Sequence, residues 1–248
     1  MGNNGNRTAA RRAPQASGIL WPRMDRTKPG APQDGRVPKP ARAEAMLKEA
    51  AALNPGPWET HSRVAAQAAM QIAARCNGLD AERAFVLGLL HDIGRRCGRY
   101  ENRHLIDGHR YLIDAGLPGA ARVCITHAFL LPRMDSLMGT WDCSADEYRF
   151  VEEFLKEVVY DDYDRLIQLC DFLAGPTGFV VAEKRMVDVA LRYGQNPYML
   201  DKWRTALDIK TRFDEMAGVN VYEILPGICE NTLSWRVTST RDPEPGGS

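Results

Sequence analysis

The chain has 248 residues, 44% of them hydrophobic and 26% charged, with 32 basic and 32 acidic side chains that cancel to a net charge of zero. This is ordinary globular composition, long enough to bury a sizeable core in one large or two small domains. It excludes a membrane span, because no run approaches ~18 apolar residues, and the six cysteines form no CxxC pair, which argues against a disulfide framework and for a reducing, cytoplasmic setting.

The charge is unevenly spread. Residues 1–43 hold nine Arg or Lys against Asp25 and Asp34, together with six prolines, so the remainder is acidic. Residues 1–41 are therefore expected to form a disordered basic, Pro-rich arm. It lacks the apolar core of a secretory signal. Such an arm could touch nucleic acid or anionic lipid, but a solvated extension is the favoured reading, with no membrane or nucleic-acid partner.

From residue 42 the pattern is helix after helix, without a strand run. An Ala-rich helix covers 42–53. Pro57 opens the next and Gly78 closes it. Asp80 caps a third helix, whose Phe85, Val86, Leu89, Leu90 and Ile93 form one stripe that stops near Gly94. His104 to Ala115 is a helix closed by Gly116, and Pro118 starts another reaching about Phe129. Ser144 and Glu147 have capping-box spacing before Phe150, Val151, Phe154 and Leu155. Further helices are expected over 162–174, 180–193 and 197–217, closed by Gly175, Gly194 and Gly218. Leu233–Thr240 reads as extended and 241–248 as a disordered tail. Cys76, Cys124 and Cys170 read as core residues. The expected architecture is an all-α bundle in a single domain, residues 42–240.

Within this pattern the polar exceptions carry the chemistry. His91 and Asp92 sit in the apolar run Leu87–Gly94, and Asp171 sits in Leu166–Leu173. A buried carboxylate must be paired, neutralised or bound to a metal, and imidazole with carboxylate is an ordinary donor set for divalent transition ions. All five histidines, His61, His91, His104, His109 and His127, fall between residues 61 and 127. The candidate ligands lie on five different helices, as bundles build metal sites. Taken singly, each has a structural alternative: His61 or His127 as a hydrogen-bonded helix histidine, Asp171 as a salt-bridge residue, Asp92 paired with Arg95 or Arg96. Jointly they favour a metal centre.

Trp58-Glu59-Thr60-His61-Ser62, Leu90-His91-Asp92-Ile93-Gly94 and Leu169-Cys170-Asp171 resemble the early His, the His-Asp pair and the late Asp of the HD-domain superfamily of metal-dependent phosphohydrolases. His104-Leu105-Ile106-Asp107-Gly108 and Ile125-Thr126-His127-Ala128-Phe129 resemble the two extra histidine motifs of its binuclear members. The resemblance covers about residues 42–218. It implies an HD-like helical bundle, a first ion on His61, His91, Asp92 and Asp171, and a second shared through Asp92 and held by His104 and His127. Asp92 and His91 would be the catalytic pair. Two divalent ions (Mn, Fe, Ni, Mg or Zn) would activate a water between them and neutralise phosphoryl charge. The glycine four residues after His104 favours it over His109, which lies about 140° further round the helix and is expected to be a half-exposed helix residue.

Departures from the family narrow the chemistry. The guanosine tetraphosphate hydrolase branch has a Glu-Asp pair where this chain has Arg95-Arg96, and the Gly-Tyr-Pro signature of the cyclic-di-GMP phosphodiesterases is absent. The expectation is a stand-alone hydrolase of a small phosphorylated compound such as a nucleotide, with homo-oligomerisation left open. Arg95, Arg96, Arg99 and Arg103, with Lys184 and Arg185, are candidate phosphate clamps; a solvated loop accounts for them equally well. Two alternatives stay open, a di-iron oxygenase on the same cage and a non-catalytic ligand-sensing module.

Overall fold

The computed structural model describes residues 35–236. The arm expected over 1–41 lies outside them as far as residue 34, and the tail expected over 241–248 lies outside them entirely. The described residues at the end of the arm are packed: Arg83 donates to the Gly35 carbonyl at 2.6 Å, and the Gly119 N–H donates to that of Arg36.

All regular structure among the described residues is helical, apart from one isolated bridge between Ala174 and Phe179. The helices are α1 (Pro40–Leu53), α2 (Trp58–Ala73), α3 (Ala81–Leu90), α4 (Arg103–Asp114), α5 (Pro118–Thr126), α6 (Ala145–Glu157), α7 (Asp162–Leu173), α8 (Ala182–Tyr193), α9 (Met199–Ala217), α10 (Val221–Ile224) and α11 (Ile228–Ser234). None is long and apolar enough to cross a membrane. The caps read from sequence are present: Asp80 accepts from the Arg83 N–H, and Ser144 with Glu147 forms a reciprocal capping box.

Two expectations about local structure are corrected. Leu233 and Ser234 belong to α11 rather than to an extended segment, because Ile228 buries here and draws the turn into the core. And α3 stops at Leu90; the chain then tightens into a 3₁₀ turn over Ile93–Cys97. Gly94 is the physical reason. A Cβ there would collide with the His104 carbonyl and the Gly108 N–H, and one on Gly108 would lie 3.0 Å from the Gly94 N. Two glycines thus let the 3₁₀ turn and the first two turns of α4 touch backbone to backbone, which brings Asp92 beside His104.

The main core is built by α2, α3 and α7, with α1 and α5 flanking and α9 and α10 behind. Gly88 lets α3 press against α2, where a Cβ would come within 2.7 Å of the Ala66 Cα. Leu87, Leu89, Leu90, Ile72, Leu166, Ile167 and Leu169 are fully buried, each contributing about 1.5–3 kcal/mol of transfer free energy. Cys76, Cys124 and Cys170 are buried as expected. A second apolar cluster, including Leu105, Ile125, Phe129, Val151 and Phe154, joins α4 and α5 to α6. The candidate ligands stand on the helices of the main core and on α4, which packs against α5.

Candidate metal centre

His61 projects from α2, His91 caps the C-terminus of α3, His127 caps that of α5, and Asp171 lies near the end of α7. Each of these three histidines has its Nδ1 turned to a main-chain carbonyl: His91 to Gly88 at 2.7 Å, His127 to Val123 at 2.8 Å and His61 to Ala174 at 3.3 Å. The carbonyl must accept, so Nδ1 carries the proton and each Nε2 keeps its lone pair. This is the arrangement by which outer hydrogen bonds orient metal-binding imidazoles.

The Nε2 atoms converge. Donor atoms of His61, His91 and Asp171 lie within 4.8 Å of one another, as do those of His91, Asp92 and His127. His61 Nε2 is 2.9 Å from Asp171 Oδ1, and the His91 and His127 rings meet edge to face at 4.9 Å. His104 Nε2 is 3.2 Å and His127 Nε2 3.6 Å from Asp92 Oδ1.

Two buried atoms at the heart of this group, His91 Nε2 and Asp92 Oδ1, have no hydrogen-bond partner. Buried polar atoms are almost always satisfied, so a lone pair and a carboxylate oxygen left facing each other's neighbourhood fit a cation. The protonation states agree. Burial pushes His91 and His104 down, and His127 down to about 3, so these rings are neutral at physiological pH. Burial acts to raise Asp92, but the Arg95 guanidinium holds it well below its ordinary range. The donor set can hold a metal ion.

The remaining candidates fall in different places. Arg95 reaches the centre: its Nε donates to Asp92 Oδ2 at 2.6 Å, and its Nη2 lies 3.4 Å from His104 Nε2. Arg185 influences Asp171 electrostatically while donating to Asp188 at 2.6 Å. Arg96 pairs with Glu49 and covers the Tyr111 ring, and Arg103 pairs with Asp107 and Glu147. Lys184 donates to the Thr232 carbonyl, and Arg99 is exposed. His109 is not half-exposed. It is buried, 9% accessible, against Phe150 and Phe154 of α6, because α6 covers a face of α4 that the α4 sequence alone shows as polar.

Further polar groups, not anticipated above, hold α5 to α7. Buried Gln168 donates to the Thr126 and Phe129 carbonyls at 2.8 and 3.0 Å, closing the end of α5 on either side of His127. Buried Asp164 accepts from Thr126 Oγ1 at 2.7 Å and from the Arg122 guanidinium. The sign was present in the sequence, an amide inside the apolar run Leu166-Ile167-Gln168-Leu169.

A protein-family model, the HDOD domain, matches residues 45–101. HDOD is related to the HD domain without being the HD phosphohydrolase domain itself. The matched stretch contains His61, His91, Asp92 and Arg95 and ends before His104, His127 and Asp171. Neither a search of curated proteins nor one of solved structures found a match.

Proposed function

We propose that this protein is a metal-dependent phosphohydrolase acting on a small phosphorylated compound, with nucleotides the first substrates to try. The observation that carries the reading is the pair of orphaned buried atoms, His91 Nε2 and Asp92 Oδ1, inside a ring of imidazoles and carboxylates. His61, His91, Asp92 and Asp171 would hold a divalent ion, with His127 beside it. When bound, such an ion supplies Lewis acidity to a phosphoryl oxygen and lowers the pKa of water.

The chain's own residues do the rest. The three Nδ1–H bonds lock the rings, so the donor atoms need no reorganisation on loading. Burial of the cage strengthens every charge interaction inside it. Arg95 places a permanent positive charge at the centre and Arg185 another near Asp171, where a phosphate would arrive. The cysteines of the described chain are all free thiols, in keeping with a cytoplasmic setting.

The test is metal content of protein purified without chelator, followed by phosphate release from a panel of nucleotides and sugar phosphates. Turnover that needs metal and disappears in Asp92→Ala supports the hydrolase. Iron with oxygen uptake and no phosphate release would replace it with an oxygenase. No metal after reconstitution with manganese, iron, nickel or zinc would end the catalytic reading. The HDOD match favours one second reading, a non-catalytic ligand-sensing module, and a physiological output that survives Asp92→Ala would select it.

A further inference from the structure

We propose that the centre holds one metal ion rather than two, because Arg95 occupies the place of a second cation. The inference rests on the metal-binding reading above and concerns what Arg95 does to the donors. The binuclear arrangement implied by the resemblance would use both oxygens of Asp92 with His104 and His127. Arg95 engages two of these donors: its Nε donates to Asp92 Oδ2 at 2.6 Å, and its Nη2 lies 3.4 Å from His104 Nε2.

The atoms that remain describe a single site. Asp92 Oδ1 and His91 Nε2 are buried without partners. The two overlapping donor groups, His61–His91–Asp171 and His91–Asp92–His127, share His91 and leave out His104. His104 itself has a buried Nδ1 with no hydrogen bond, unlike the other three histidines of the centre, each of which is held by a main-chain carbonyl. A ring without that outer bond lacks the usual support of a metal ligand.

Charge points the same way. Asp92 is 4% exposed, and a guanidinium is always protonated. Two dications and Arg95 would confront only two carboxylates, whereas one dication and Arg95 leave a modest positive excess suited to an anionic substrate. Freeing Asp92 Oδ2 for a second ion would also break its part-buried ion pair with Arg95 and leave that guanidinium beside the incoming cation. Arg95 is thus a fixed second cation, supplied by the turn that follows the His-Asp pair.

The experiment loads purified full-length protein with manganese and measures metal per chain by elemental mass spectrometry, with electron paramagnetic resonance to separate isolated ions from spin-coupled pairs. The expected result is about one equivalent and an isolated-ion spectrum in the wild type. His104→Ala should leave that unchanged. Arg95→Leu should admit up to about two equivalents with a coupled spectrum, and thermal unfolding checks that each variant is folded. About two coupled ions in the wild type, or loss of metal in folded His104→Ala, would overturn the proposal while leaving the hydrolase reading intact. Should Arg95→Leu fail to fold, the wild-type count and His104→Ala decide alone. A wild type that takes no metal overturns both readings.

Discussion

On the α2–α7 side of the centre, His61 and Asp171 face each other at 2.9 Å with 14% and 28% of their side chains still exposed. On the side made by the end of α3 and the start of α4, Asp92 and His104 lie 3.2 Å apart, only 5% and 6% exposed, with the Arg95 guanidinium against both. Both sides offer a histidine and an aspartate. The first keeps part of its surface in contact with solvent. The second is partly taken: Arg95 holds Asp92 Oδ2 and stands against His104, which leaves Asp92 Oδ1 without a partner. Donor identity is therefore not enough to make a metal site; the charge balance of each donor's surroundings decides whether it remains available.

The comparison can be broken most severely at Asp171. Asp171→Asn keeps the shape but removes the charge on the open side, so bound metal should fall from about one equivalent to almost none, and turnover with it. Metal content measured beside a normal unfolding curve checks this; retained metal would mean that the open side is not where the ion sits. The sealed side should be most sensitive at Gly94. Because a Cβ there meets α4 backbone, Gly94→Ala should lower stability by about 3 kcal/mol or more, read as a shifted urea midpoint.

Acid should act on the same flank through His109. Burial holds the folded imidazole down to about 4, whereas the unfolded chain protonates it near its ordinary value of about 6.5. Between those values the unfolded state binds the extra proton, so stability is lost as pH falls through that window and the loss ends below the folded pKa. Relative to wild type, His109→Phe should gain about 2 kcal/mol of stability between about pH 7.5 and about pH 5. Paired urea titrations at the two pH values measure this, and parallel losses in both proteins would show that His109 is not held neutral.

Gln168 tests whether the open side depends on the α5–α7 brace. Gln168→Leu removes two buried hydrogen bonds at the end of α5, where the Thr126 and Phe129 carbonyls keep only the Phe129 N–H and the Tyr160 hydroxyl as donors, costing about 1–3 kcal/mol. It should also weaken metal binding roughly 10-fold through the loosened His127, an effect that metal titration would separate from stability. The smallest change belongs to a cap on α6, away from both sides. Ser144→Ala should cost about 1 kcal/mol and leave metal binding unaltered; weakened binding there would show that the two sides are not a local unit.

Periodicity and breakers reveal most of the helices because they are local. Asp80 and Ser144 cap where their spacing places them, and the stripe through Val86, Leu89 and Leu90 is buried. Helix ends were less legible where the cause was remote. The end of α3 at Leu90 depends on how closely Gly94 approaches α4, a contact with residues that are ten or more positions away in the chain. The short α10 and α11 carry too few turns for a period to show.

The sequence by itself determined the helical bundle, because its apolar stripes and breakers are local. An acid or a histidine inside an apolar stripe, together with the family resemblance, pointed to His61, His91, Asp92, His104, His127 and Asp171, and donor atoms of all but His104 fall in two converging groups. Only the tertiary structure decided what stands against each of them. His109 is buried because α6 covers it, Gln168 matters because α5 ends beside it, and Asp92 shares its charge with Arg95 because a 3₁₀ turn folds the guanidinium back. A pattern along the chain records which face is apolar. The neighbour that faces a polar atom, and so fixes its charge and its freedom to bind, comes from another part of the chain.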